Sequence, residues 1–132
     1  IVSFSGFPMI DLHAEQLGDV SVLNIRGAFN MDNLMRVKAF MIEQFERCPR
    51  MIAIKCESLD SVDSCAIGVI VQFLNYAADN DIELVFYDLK PVLQRLFDVA
   101  RLSRYFTITT RSEFKNQYVL NLKSRKLEHS LT

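Results

Sequence analysis

The stretch of the chain with the clearest chemical potential is residues 62–68, Val-Asp-Ser-Cys-Ala-Ile-Gly, which lies between a strand pattern and a helical pattern. Ser64 would stand at the start of that helix, where free backbone N–H groups and the helix dipole favour an anion. A phosphate on its hydroxyl would add roughly −1.5 to −2 charges and three strong acceptors. Asp63 and Ser64 also suit a purely structural role as helix caps. The residues alone favour capping over switching.

Cys65 places a thiol in the same turn. A helix N-terminus lowers a thiol pKa, so a reactive thiol is one hypothesis. Free cysteines pack readily in cores, and the sequence favours this reading of Cys65 as a small buried hydrophobic residue. The other cysteines, Cys48 and Cys56, complete no CxxC pair, and an odd count is not typical of a disulfide framework or a zinc site. We therefore expect no metal, and reduced thiols in a cytoplasmic protein.

Residues for catalysis are scarce in this sequence. The four glycines are too dispersed to form a Walker loop or a GxGxxG motif. A Ser-His-Asp site would have to recruit His13 or His129 from the ends of the chain. Loop carboxylates such as Asp60 and Asp63 more often cap helices or face solvent. We expect no catalytic residues and no cofactor, so the protein is predicted not to be an enzyme.

The composition predicts one globular domain, since half of the 132 residues are hydrophobic and 23% are charged. A net charge of −1 gives no basic face for nucleic acid, so direct nucleic-acid binding is not expected. No apolar run approaches the ~20 residues of a membrane span, so no membrane insertion is expected. We place the domain at residues 9–122, after an N-terminal extension or expression remnant (1–8) and before a flexible C-terminal tail (123–132).

Apolar periodicity along the chain predicts an alternation of strands and helices. A hairpin turns at residues 17–19, Asn30 or Asp32 could cap the first helix, and Pro91 suits the first turn of the third. The predicted strands are 9–16, 20–26, 51–56, 82–87 and 105–109. The predicted helices are 34–45, 65–80, 91–100 and 112–122. This order indicates an α/β fold with a mostly parallel, mixed sheet of about five strands and about four helices.

The apolar positions of these elements define an expected core. The expected strand members are Leu23, Ile25, Ile52, Ile54, Leu84 and Phe86. The expected helix members are Ile67, Ile70, Leu74, Leu93, Leu96 and Phe97. The second helix also has a second apolar face, formed by Val69, Phe73 and Tyr76. That face suits either a partner protein or cover by a neighbouring helix or the tail of the same chain.

Three blocks of sequence resemble STAS domains. Residues 62–68 resemble the loop-to-helix motif usually written Asp-Ser-Ser-Gly-Leu-Gly. Residues 91–106 (PVLQRLFDVARLSRYF) resemble the third helix of the family and the strand after it. Residues 25–30 (IRGAFN) resemble the end of its second strand and the following polar turn. The similarity covers about residues 9–114, and it implies a STAS-like fold.

The resemblance is to the anti-sigma factor antagonist branch of that family, and it implies a bacterial, cytoplasmic, phosphorylation-switched binding module. The first Ser of the motif corresponds to Ser64, which a partner that is both serine kinase and anti-sigma factor would phosphorylate. The unphosphorylated form would sequester this partner, and a phosphatase would reset the switch. The implied partner-binding residues are Asn30, Asp63, Ser64, Cys65, Ile67 and Gly68.

The chain departs from the family pattern at four positions. Cys65 replaces the second Ser and Ala66 the Gly, whereas Asn30 and Lys55 stand where the family often has Asp, or Asp and Asn. These departures bear on phosphorylation more than on the fold. They keep two alternatives open: a constitutive STAS scaffold in a stressosome-like or transport-associated complex, and a small-ligand or nucleotide-sensing STAS domain. Nothing in the sequence excludes a homodimer.

Overall fold

The computed structural model describes residues 10–102 and the backbone of residues 107–109. The strands are β1 (Asp11–Leu17), β2 (Val20–Phe29), β3 (Met51–Lys55), β4 (Leu59–Val62), β5 (Glu83–Tyr87) and β6 (Thr107–Thr109). The helices are α1 (Leu34–Glu46), which follows a 3-10 turn at Met31–Asn33, α2 (Ser64–Asp79) and α3 (Pro91–Val99). The predicted fourth helix at 112–122, the extension at 1–8 and the tail at 123–132 lie outside the described residues.

The five main strands form one mixed sheet in the order β1-β2-β3-β5-β6. The first two strands pair antiparallel across a tight turn at Gly18, whose φ of 66° is one that glycine adopts without strain. All the other pairings in the sheet are parallel. The prediction of an α/β fold with a mostly parallel, mixed sheet is therefore confirmed.

A short strand, β4, was not predicted from the sequence. It pairs in parallel with the end of β2, beyond the stretch that pairs with β3, and the register shifts after Gly27 so that Asp60 is passed over. Gly27 has a φ of 103° at this irregularity, a conformation that favours glycine. The pairing ends with Val62 beside Phe29. It thereby brings the residue before α2 next to the turn that leads into α1.

The two faces of the sheet carry separate apolar clusters. The helices share one cluster with alternate strand residues, including Leu23, Ile54 and Phe86. The intervening strand residues form the second cluster, which contains Val20, Met51, Ala53, Val85 and Tyr87. Of the expected core, every strand member is buried, as are Ile70, Leu74, Leu93 and Phe97. Ile67 and Leu96 are only partly buried, because each lies at the edge of its helix's buried face.

The second apolar face of α2 is largely covered by α1. The ring of Phe45 packs 6.1 Å from that of Phe73 and 4.6 Å from that of Tyr76, measured between centroids. Val69 and Phe73 are buried, whereas Tyr76 stays almost half exposed. Of the interpretations that the sequence allowed, a neighbouring helix therefore accounts for the burial of Phe73.

Candidate functional site

Asp63 occupies the junction between β4 and α2 and binds two separate backbone groups. Its Oδ1 accepts a hydrogen bond of 2.8 Å from the N–H of Ala66, which makes it the N-cap of α2. Its Oδ2 accepts a 3.0 Å bond from the N–H of Met31, in the turn after β2. One carboxylate therefore ties the beginnings of two helices together, so the capping role expected of Asp63 is present in the fold.

Asn30 organises the other side of this junction. Its side-chain oxygen accepts from the N–H of Asp32 at 3.0 Å, and its own N–H donates to Oδ1 of Asn33 at 3.0 Å. The Nδ2 of Asn33 donates in turn to the carbonyl of Ala28. Asn30, and not Asp32, is thus the cap, and it caps the 3-10 turn in front of α1. The side chains of Asn30 and Asn33 thus order this turn through neutral hydrogen bonds.

Ser64 is the first residue of α2, and its side chain is exposed. Cys65 and Gly68 are exposed on the same end of the helix, while Ile67 is partly buried. The sequence favoured a buried Cys65, and this was wrong. Successive side chains on a helix diverge by about 100°, and Ala66, fully buried, takes the inward position instead.

Gly68 lies in the second turn of α2 with open space around it. A Cβ on this residue would meet no heavy atom within 4 Å apart from the neighbouring residues and backbone of its own helix. A glycine inside a helix costs roughly 0.5–1 kcal/mol relative to alanine. The fold of the described residues gives no packing reason for this cost. Because Gly68 has no side chain, the exposed surface beside Ser64 stays open to a partner at this position.

Two methionines that the sequence analysis did not select extend this surface. Met31 is 66% exposed and Met35 is 77% exposed. They belong to the turn and first residues of α1, and the N–H of Met31 is itself bound by Asp63. The sequence does contain a signal for them: their four-residue spacing places them on one side of the helix, away from its buried residues. Unbranched, polarisable Met side chains suit adaptable protein contacts.

The site surface comprises Met31, Met35, Ser64, Cys65, Ile67 and Gly68, with Asn30 and Asp63 beneath it.

A family model described as the STAS domain matches residues 11–115 of the chain. The protein belongs to the STAS domain family. No curated protein sequence matches the chain.

Several solved structures share this STAS fold. A candidate anti-sigma factor antagonist from Thermotoga maritima has a TM-score of 0.72 and 20% identity, over 80% of this chain and 92% of that one. An anti-sigma factor antagonist from Mycobacterium paratuberculosis has a TM-score of 0.67 and 15% identity, over 76% and 86%. The Bacillus cell fate determinant SpoIIAA, in its phosphorylated form, has a TM-score of 0.64 and 15% identity, over 81% and 98%. At these identities the likeness shows the fold.

Two ion pairs link β3 and β4 of this STAS domain to the residues beside them. Lys55, at the end of β3, forms an ion pair of 3.4 Å with Glu57. Lys90, in front of α3, binds Asp60 at 2.6 Å. Such exposed pairs contribute about 0–1 kcal/mol each. Because its own partner is adjacent, Lys55 adds little net positive charge where the family often has an acid or an amide.

Cys56, directly after β3, is a buried thiol of a different kind from Cys65. Burial, with a further contribution from the Asp88 carboxylate, raises its pKa well above the ordinary range of a cysteine. It therefore stays protonated and unreactive at neutral pH.

In the described part of the chain, no group of three or more His, Cys, Asp or Glu residues could hold a metal ion. No helix in the same part is long and apolar enough to cross a membrane.

Proposed function

We propose that this STAS domain is an anti-sigma factor antagonist of the bacterial cytoplasm, switched by phosphorylation of Ser64. In its unphosphorylated form it binds and sequesters an anti-sigma factor that is also a serine kinase. Phosphorylation releases that partner, and a phosphatase restores the binding form. The ATP site belongs to the kinase, and this chain is a binding protein with no catalytic residues of its own.

The observation that carries the proposal is the exposed Ser64 hydroxyl at the start of α2. Asp63 accepts from the N–H of Ala66 with its side chain and from the N–H of Ile67 with its carbonyl. Within the described residues, the N–H groups of Ser64 and Cys65 have no protein acceptor. Unpaired donors at a helix N-terminus favour an anion by about 0.3–1 kcal/mol. The fold therefore tolerates a phosphate at this position.

The same phosphate is unfavourable in a protein interface. The site surface around Ser64 includes the two exposed methionines and the partly buried Ile67. A partner that covers this surface must remove water from whatever stands at Ser64. Burying an unpaired charge costs several kcal/mol, which exceeds the gain from the helix N-terminus. Phosphorylation would thus weaken binding while leaving the domain folded.

The proposed partner-binding residues divide into two groups by their contacts. Ser64, Cys65, Ile67 and Gly68 can touch a partner directly, since they lie on the site surface. Asn30 and Asp63 act mainly by holding that surface in place through backbone hydrogen bonds. SpoIIAA has been solved in unphosphorylated and phosphorylated forms, and its fold likeness supports a switch of this type.

Phosphotransfer is the direct test. The chain is incubated with ATP and a serine kinase of the anti-sigma factor type, and the modified residue is mapped by mass spectrometry. We expect a single phosphate on Ser64, absent in Ser64→Ala and retained in Ser61→Ala, because Ser61 is an exposed serine on β4 and serves as a matched control. Modification of Ser61 in place of Ser64 would contradict the assignment.

A constitutive STAS scaffold is the second candidate. Ala66 is buried in the core, and Asn30 orders its turn with neutral hydrogen bonds, so the motif is stable without any phosphate. Partner binding that ATP leaves unchanged, with no phosphate on the chain, would favour this scaffold. Ser64→Ala then binds as the wild-type chain does under every condition.

A further inference from the structure

A groove separates α1 from α2 at the end of the helix pair away from Ser64. The groove is open to solvent on one side and has a volume of about 350 Å³. The side chains that decide its chemistry are Lys38, Ile42 and Glu46 from α1, with Phe45, Gln72 and Tyr76 also contributing. Gln72 and Tyr76 follow Ser64 by eight and twelve residues, which places them about 12 and 18 Å along the helix axis.

The centre of the groove is apolar and accessible. Ile42 is 53% exposed, and the ring of Tyr76 leans on that of Phe45, which is buried below it. Large apolar side chains with few rotatable bonds lose little entropy when they enter an interface, and tyrosine is common in binding hot spots. The groove therefore has the composition of a contact surface.

The charges at its two ends are opposite and evenly placed. Lys38, Ile42 and Glu46 recur every four residues along α1, so each charge lies about 6 Å along the axis from Ile42. In the described part of the chain, neither Lys38 nor Glu46 has an ion-pair partner. A second α1 laid antiparallel across Ile42 would set Lys38 of each copy against Glu46 of the other.

We propose that this groove is a self-association surface, in which two copies of the chain pack their α1 helices antiparallel about a two-fold axis at Ile42. In a two-fold symmetric contact the same surface of both copies meets, so that surface must complement itself. The order Lys38–Ile42–Glu46 meets this requirement, because reversing it places each charge opposite one of the other sign. A helix from a different protein would need no such symmetry. The surface is separate from the one around Ser64, so the inference goes beyond the proposed function.

The expected dimer is weak. The helix α1 is 13 residues long, or about 20 Å, which is short for an interface of about 800 Å² on each partner. We expect dissociation in the micromolar range and a dimer that leaves both copies of Ser64 accessible. One Lys38–Glu46 ion pair, formed twice by symmetry, would fix the antiparallel orientation.

Sedimentation equilibrium of the full chain, from low to high micromolar concentration, tests this proposal. Lys38→Glu and Glu46→Lys should each raise the dissociation constant about tenfold, because each creates two like-charge contacts per dimer. The double variant should restore wild-type association, since the charges are then exchanged in both copies. Ile42→Glu should abolish the dimer, whereas Val92→Glu, at a similarly exposed residue of α3, should leave it intact.

Three outcomes would overturn the proposal: a wild-type chain that is monomeric throughout, a dimer that survives Ile42→Glu, and a double variant that associates no better than the single ones. The first would leave the groove to a different protein. Circular dichroism of each variant verifies that the fold is retained, since all of the changes are at partly or fully exposed positions. Phosphotransfer to Ser64 is measured separately, so failure of the dimer and failure of the switch are distinguishable.

Discussion

The carboxylate of Asp63 accepts the backbone N–H of Met31 at 3.0 Å, across a separation of 32 residues. Its other oxygen caps α2 at the N–H of Ala66. This acid of the STAS motif therefore has a structural task that is independent of any partner. It holds the turn before α1 against the start of α2, and thereby sets the spacing between Met31 and Ser64 on the site surface.

Replacing this carboxylate should destabilise the fold. Asp63→Ala loses both hydrogen bonds, and we expect a loss of about 1–3 kcal/mol in the free energy of unfolding. Asp63→Asn should lose less, because one amide oxygen can still cap α2, while the NH₂ group opposes the N–H of Met31. Denaturant unfolding measures both. Asp60→Ala, which removes only an exposed ion pair with Lys90, is the control and should cost about 0–1 kcal/mol. Equal losses for the two alanine variants would contradict the link.

The third helix offers a test of which side chains pack in the core. Phe97 is fully buried with its ring 5.6 Å from that of Phe86, whereas Leu96 is only partly buried. Phe97→Ala should cost about 3–5 kcal/mol. Leu96→Ala should cost clearly less than the roughly 2–5 kcal/mol that applies to a buried leucine. Val99→Ala, at an exposed position, should change stability by no more than about 0.5 kcal/mol. Denaturant unfolding that reverses the order of Phe97 and Leu96 would mean that α3 is rotated.

The order of the elements was predictable because it depends on local patterns. Periodic apolar residues and a proline at position 91 located the helices, and α3 does begin at that proline. The strand β4 could not be predicted from the sequence. Only its two ends, Leu59 and Val62, are buried, so its residues neither alternate between apolar and polar nor form a continuous apolar run. Its pairing with β2 depends on a register shift near Gly27, which no local pattern reveals.

The residues of the site could be predicted from the sequence, but the hydrogen bonds that join them and the exposure of their side chains could not. The motif located Ser64 at the start of a helix, and α2 does begin there. The bond from Met31 to Asp63 joins distant segments, and only the pairing of β4 with β2 brings them together. The exposure of Cys65 depends on which face of α2 meets the sheet. A phase difference of one residue, about 100° around the helix, decides it.

Gly68 offers two variants, one that tests its effect on stability and one that tests its place in the interface. Gly68→Ala should raise the free energy of unfolding by roughly 0.5–1 kcal/mol, because the methyl group meets no neighbour and alanine favours the helix. A bulkier change, Gly68→Leu, should fold equally well but weaken the partner, since it projects from the site surface. Thermal unfolding and a binding titration measure the two effects. Unchanged affinity in Gly68→Leu would remove Gly68 from the proposed interface.

The three cysteines should differ in reactivity. Cys48 and Cys65 are exposed, whereas Cys56 is buried and its pKa is raised, mainly by burial and then by Asp88. Iodoacetamide at neutral pH should therefore modify two thiols in the native protein, and the third only after unfolding. Intact-mass spectrometry counts the adducts, and peptide mapping assigns them. Native modification of Cys56, or protection of Cys65, would be incompatible with this arrangement.

A carboxylate at position 64 should separate binding from folding. In Ser64→Asp the helix N-terminus stabilises the new charge by about 0.3–1 kcal/mol. Repulsion from the adjacent Asp63 carboxylate offsets part of this gain. We expect the free energy of unfolding to stay within about 0.5 kcal/mol of wild type, while affinity for the kinase partner falls at least tenfold, or about 1.4 kcal/mol. Ser61→Asp adds the same charge on β4, three residues before the helix, and should change neither quantity. Calorimetric titration with the partner and denaturant unfolding of the same samples measure the two effects. A parallel loss of stability would attribute the weaker binding to misfolding, and full affinity in Ser64→Asp would place the interface elsewhere on the domain.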